Sequence, residues 1–120
     1  MYAVGVDVSN GWSTVAVLRS KTDIVIRPFN VTHNSQGFAN LLEKLGALDG
    51  EVRVVMEHTG NYYESIANVL YESGLWVSAV NPLLLRNYGD NSLRSVKTDK
   101  ADAKKIARYT LDNWKELRQY

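Results

Sequence analysis

Four acidic side chains, Asp7, Glu57, Asp99 and Asp102, have types and positions that fit one piece of chemistry. Asp7 stands near the carboxyl end of an alternating apolar run, and Glu57 directly follows a β-branched run. Asp99 and Asp102 are three residues apart in a segment of helical pattern, so they share a face. Carboxylates gathered within ~4–6 Å raise one another's pKa values, and a hard divalent ion with oxygen ligands relieves that repulsion. Magnesium or manganese is therefore the expected cofactor, with all four residues as ligands and as the catalytic set. Singly, each has an ordinary alternative: a turn acceptor at Asp7, a cap at Glu57, favourable helix N-terminal charge at Asp99 and Asp102. As a set they are harder to explain away, because Asp7 and Glu57 end apolar strands, where an unpartnered charge is costly.

The elements that must position them can be read from periodicity. Tyr2 to Val8 alternates Val4, Val6 and Val8 against Ala3, Gly5 and Asp7, a buried strand with little room on its second face. Asn10-Gly11 predicts a type I′ hairpin turn into a strand from Trp12 to Leu18. A turn near Lys21-Thr22-Asp23 leads to a third strand over Ile24 to Phe29. Asn34-Ser35 can cap a helix carrying Phe38, Leu41, Leu42 and Leu45 as far as Gly46. Val52 to Met56 predicts a buried parallel strand that delivers Glu57. After Thr59-Gly60, Asn61 and Glu64 have capping-box spacing before a helix that ends at Gly74. Leu75 to Val80 is a fifth strand, Leu83 to Asn87 a short helical segment, and Gly89 to Lys97 a polar stretch. Thr98 can cap a last helix running from Asp99 toward Leu111. An α/β layout follows, with the first, fourth and fifth strands parallel and a strand order of 3-2-1-4-5. In that order Asp7 and Glu57 lie on neighbouring strands about 4.8 Å apart, at a crevice where connections leave in opposite directions.

The 120 residues fit one domain, and 45% hydrophobic with 22% charged residues is ordinary for a globular chain. The absence of cysteine excludes disulfides and thiolate metal sites and fits a reducing compartment, so a cytoplasmic location is expected. Neither a signal peptide nor a membrane span is indicated. Charge is uneven: residues 1–85 carry five basic and eight acidic side chains, whereas 86–120 carry nine basic and five acidic. A basic section beside an acidic site suits a phosphodiester substrate. Arg86, Arg94, Lys97, Lys100, Lys104, Lys105 and Arg108 are the candidate nucleic-acid contacts, each with surface solubility as its ordinary alternative. His58 could orient a carboxylate, although strand alternation turns it to the opposite face from Glu57. Trp12, Tyr62 and Tyr63 could stack on bases, with packing the ordinary reading for two of the three. Ser9 and Thr59 lack triad partners and read as turn residues.

Three segments, Gly5-Val6-Asp7-Val8-Ser9, Met56-Glu57-His58-Thr59-Gly60-Asn61-Tyr62 and Lys97-Thr98-Asp99-Lys100-Ala101-Asp102-Ala103, together resemble the N-terminal domain of the DEDD transposases of the insertion-sequence 110 family, which includes Piv-type DNA invertases. The resemblance covers almost the whole chain. It implies a ribonuclease-H-like, RuvC-like fold in which Asp7, Glu57, Asp99 and Asp102 bind divalent metal for DNA strand cleavage and exchange. It further implies a second, C-terminal domain bearing a serine nucleophile, and a structured guide RNA in the full-length protein. On that reading residues 1–120 are the N-terminal part of a longer transposase, as the amphipathic Trp114 to Tyr120 without a stop signal also suggests. DNA is the expected partner, and a homo-oligomer is left open. The competing readings are a stand-alone RuvC-like nuclease or junction resolvase, and a nucleic-acid-binding module without its own catalysis. An ATP-binding half of the actin and sugar-kinase type shares the strand-hairpin-strand opening but needs later glycine-rich motifs that this chain lacks.

Overall fold

A computed structural model of the chain describes residues 1–58, 60–88 and 98–120. Strand β1 (Tyr2–Ser9) forms a hairpin with β2 (Trp12–Ser20), and β3 (Asp23–Thr32) completes an antiparallel meander. Helix α1 (Ser35–Gly46) leads to β4 (Val52–Glu57), and α2 (Tyr63–Glu72) to β5 (Trp76–Val80). Strand β4 runs parallel to β1 on one side and to β5 on the other, giving the order β3-β2-β1-β4-β5 anticipated above. A short helix α3 (Pro82–Arg86), the long helix α4 (Asp99–Asn113) and a 3-10 turn (Trp114–Glu116) follow.

The two faces of the sheet are covered differently. Val4, Val6, Val15, Val17, Val54, Met56 and Val77 form one face and pack under Leu41 and Leu45 of α1 and Ile66, Ala67 and Leu70 of α2. On the other face α4 lies across the central strands, with Ala103 and Ala107 against Ala16 and Leu18, and Ile106 against Val55 and Val80. Gly5 makes this close approach possible. A Cβ at that position would overlap the Ala103 carbonyl oxygen and lie 3.1 Å from the Ala107 Cα, so only the bare backbone of glycine lets α4 settle onto β1.

Three local expectations are corrected. Ser9 pairs with Trp12 around the Asn10-Gly11 turn, but only Gly11 takes positive φ (84°); Asn10 does not, so the turn is not type I′. Glycine carries the left-handed geometry alone. The Asn61 and Glu64 side chains form no capping box: Tyr62 is the N-cap, already helical, with no side-chain cap hydrogen bond. Only the backbone N–H of Glu64 reaches back, to the Asn61 carbonyl at 3.3 Å, because Tyr62 already has helical backbone angles and takes the capping position from Asn61. Strand β3 continues past Phe29 to Thr32. The register slips where Val15 faces Phe29 and Val17 faces Ile26, a bulge that absorbs Pro28, which cannot donate to the ladder, on an edge strand.

Candidate metal centre

Asp7 reaches the site from β1, on the face that carries Gly5. The residue before it, Val6, pairs with Met56, so Glu57 at the end of β4 is Asp7's neighbour in the next strand. The other two carboxylates come from the first turn of α4. Thr98 caps that turn, its hydroxyl oxygen accepting from the Ala101 N–H at 3.1 Å, while the Asp102 N–H donates to the Thr98 carbonyl at 2.8 Å. The cap holds Asp99 and Asp102 at a helix N-terminus, where negative charge is favourable. Because α4 runs down over Gly5, this turn hangs above Asp7.

Oxygens of Asp7, Asp99 and Asp102 all lie within 4.8 Å of one another. Asp7 and Asp102 are half-buried, and Asp99 is exposed. Glu57 flanks this trio. The Asp7 carboxyl is pushed up to about 7, first by burial, then by its hydrogen bond to Asp99 and by the charges of Asp102, Asp99 and Glu57. A hydrogen bond between two carboxyls requires a shared proton, so without a cation the site is short of positive charge. An all-oxygen donor set under mutual repulsion fits a hard divalent ion, and Asp7, Asp99 and Asp102, with Glu57 beside them, are the residues that would hold it.

Residues 4–120 match the insertion-sequence 110 family of DEDD transposases. The chain belongs to that family. Among curated relatives it is similar to the pilin gene-inverting proteins of Moraxella bovis and Moraxella lacunata, each 36% identical over 81 residues, 65% of this chain. Those residues are 25% of each relative's length, so the chain spans about a quarter of the curated relatives it matches. The fold is that of RuvC. A T. thermophilus RuvC in complex with a Holliday junction substrate superposes with a TM-score of 0.70 at 14% identity, covering 100% of this chain and 99% of that one. A second Thermus thermophilus RuvC structure gives 0.68 at 15% identity, with 100% of both chains covered.

The basic residues around this transposase-family centre are spread out. Lys100 is exposed beside Asp99, Lys104 and Lys105 are half-buried further along α4, and Arg86 is exposed at the end of α3. Arg108 sits near the other end of α4, where its Nε donates to the Lys21 carbonyl at 3.4 Å in the β2–β3 turn. Arg94 and Lys97 lie outside the described residues, as does Thr59. His58 is exposed, tilted against Tyr63 with ring centroids 6.2 Å apart, and its N–H extends β4 by donating to the Val80 carbonyl at 2.9 Å. Tyr63 packs against the core, whereas Tyr62 is 50% exposed. Sequence reading passed over Thr14 and Asn30. Thr14 faces Asp7 from β2, Asn30 faces Thr14 from β3, and the Thr14 hydroxyl donates to Asn30 Oδ1 at 3.1 Å. The signal was available, since strand alternation puts Thr14 on the face of Ala16 and Leu18, but a threonine in an apolar strand reads as β-propensity.

Among the described residues no helix is long and apolar enough to cross a membrane.

Proposed function

We propose that this chain is the metal-dependent DNA-cleaving part of a transposase, acting in DNA strand cleavage and exchange. The observation that carries the reading is the convergence of Asp7, Asp99 and Asp102 from a central strand and a capped helix turn, with Glu57 adjoining. In chain order the four are Asp, Glu, Asp, Asp, the order the family's DEDD label spells. A divalent ion held there, Mg²⁺ or Mn²⁺, would supply Lewis acidity toward a scissile phosphate and its leaving oxygen.

The chain's own part is placement. Asp7 and Asp102 are fixed by β1 and by the capped turn, so their oxygens are set before substrate arrives. Lys100, between Asp99 and Asp102 on α4, is the first candidate to steady the phosphate backbone, with Lys104, Lys105 and Arg108 further along the helix, Arg86 at the end of α3 and Arg94 and Lys97 in the preceding segment. The nucleophile, a serine on a further domain, and a guide RNA that selects DNA belong to the full-length protein on this reading. Inversion of a DNA segment, which the Moraxella relatives' name describes, is the kind of reaction it would serve.

A Mn²⁺ titration of the chain and its Asp7→Asn variant, with and without a short branched DNA, tests the proposal. Saturable binding that the variant loses is the expected result. No binding in either condition would refute a self-contained metal site.

A further inference from the structure

Beside the carboxylates lies a groove of about 350 Å³ lined by Trp12, Thr14, Asn30, Thr98, Asp99 and Lys100. It continues the metal centre, because Asp99 belongs to both. The sheet builds it in register. Asp7, Thr14 and Asn30 stand side by side on β1, β2 and β3, and Trp12 is two residues before Thr14, so all four are on the face that α4 covers. The first turn of α4 closes the opposite wall.

The lining chemistry is mixed in a particular way. Trp12 gives a half-buried aromatic surface at the start of β2. Thr14, 1% exposed, donates its hydroxyl to the Asn30 side-chain oxygen Oδ1, which orients the amide and leaves its NH₂ to donate. Lys100 gives an exposed cation on the α4 side. An aromatic face, an oriented amide and a cation within one groove are the complements of a base face, a base edge and a phosphate. A base inside a duplex has both faces covered by its neighbours and cannot offer one to an indole.

We infer that this groove receives an unpaired nucleotide of the DNA strand next to the scissile phosphate, its base on Trp12, its edge at Asn30 and its phosphate at Lys100. The inference rests on the proposed nuclease-type site and adds to it a preference for DNA that is open or distorted beside the cleavage point. Asp99 sets the junction, one carboxylate serving the metal while its backbone neighbours Thr98 and Lys100 line the nucleotide's place.

The test is a fluorescence-anisotropy titration of the chain with two labelled DNAs of one sequence in the presence of Mn²⁺, an uninterrupted duplex and a branched form with unpaired nucleotides at the branch. Wild type should prefer the branched form, Trp12→Ala should lose about tenfold on that form alone, and Trp12→Phe should keep most of the preference. Lys100→Ala, at an exposed position where folding is not at stake, should weaken both DNAs and lower the slope of log affinity against log salt by about one. Equal losses on both DNAs in a folded Trp12→Ala, or no loss in either, would overturn the inference, and so would a Lys100→Ala salt slope equal to wild type. Asp102→Asn separates the two readings. If the variant binds Mn²⁺ as wild type does while the Trp12 preference persists, the groove stands and the metal reading fails; if the variant loses Mn²⁺ binding and wild type shows no Trp12-dependent preference, the reverse holds.

Discussion

Gly5 and Ala103 touch backbone to backbone: the helix carbonyl of Ala103 occupies the space that a side chain on Gly5 would need. This contact sets the height of α4 above β1, and with it the distance from Asp7 to Asp99 and Asp102. Gly5→Ala is therefore expected to lift α4, cost about 1–3 kcal/mol of stability and remove Mn²⁺ binding although every carboxylate is still present. Thermal melts with metal titration of the same variant check it. An unchanged metal affinity would show that α4 can shift without moving the site.

Removing the cap should act more gently on the same turn. Thr98→Ala leaves the Ala101 N–H without its acceptor and is expected to lower stability by about 1 kcal/mol. Fraying of the first turn spreads the positions of Asp99 and Asp102, so Mn²⁺ affinity should fall by more than the stability change alone implies. Thr98→Ser, which keeps the hydroxyl, should restore both.

Asp7 makes the metal-free fold sensitive to pH. An ordinary aspartate titrates near 3.8, whereas Asp7 in the fold does so at about 7. Between those values the folded chain holds a proton that the unfolded chain has released, so stability falls as pH rises from about 4 to 7 and levels off above. Since the group is only half-buried, solvent screening keeps the loss to about 1–2 kcal/mol. Urea midpoints at pH 5 and pH 8 should show the decline without metal and a flatter profile with Mn²⁺. Asp7→Asn should flatten it as well.

The far end of the sheet offers a control that leaves the metal alone. Arg53 is the second residue of β4, at the opposite end from Glu57, and its guanidinium carbon sits 3.5 Å from the Trp114 ring centroid and 5.9 Å from that of Trp76, with Nη1 2.8 Å from Glu51. Arg53→Ala should cost about 1–2 kcal/mol through lost stacking and side-chain packing, and Mn²⁺ affinity should stay at the wild-type value. Loss of metal binding at full occupancy of the folded state would contradict the independence of the two ends.

Much of this arrangement is legible in the sequence. The alternation around Val4 and Val6, the Asn-Gly turn position and the β-branched run before Glu57 carry the strand order, because side-chain period and connection handedness leave few topologies. The meeting of Asp7 with Asp99 and Asp102 follows from that order once a helix lies over the strand ends. What sequence could not supply were features set by tertiary packing. Asn61 and Glu64 had cap spacing without cap geometry, since Tyr62 between them already has helical angles. The Thr14 and Asn30 partnership depends on the bulge at Pro28, and Arg53 meets Trp114 only after α4 has returned along the sheet.

The segment after α4 comes to rest along β5. The Tyr120 N–H donates to the Val77 carbonyl at 2.7 Å, and the Ser78 hydroxyl to the Arg118 carbonyl at 2.7 Å. Strand β5 is the last in the sheet, and its outer carbonyls would otherwise be a template for another chain's strand. On the opposite margin the bulge around Pro28 interrupts the β3 ladder. The sheet is thereby finite in both directions, one border occupied by the chain itself and the other blunted, so that two copies of the chain have little means of fusing edge to edge.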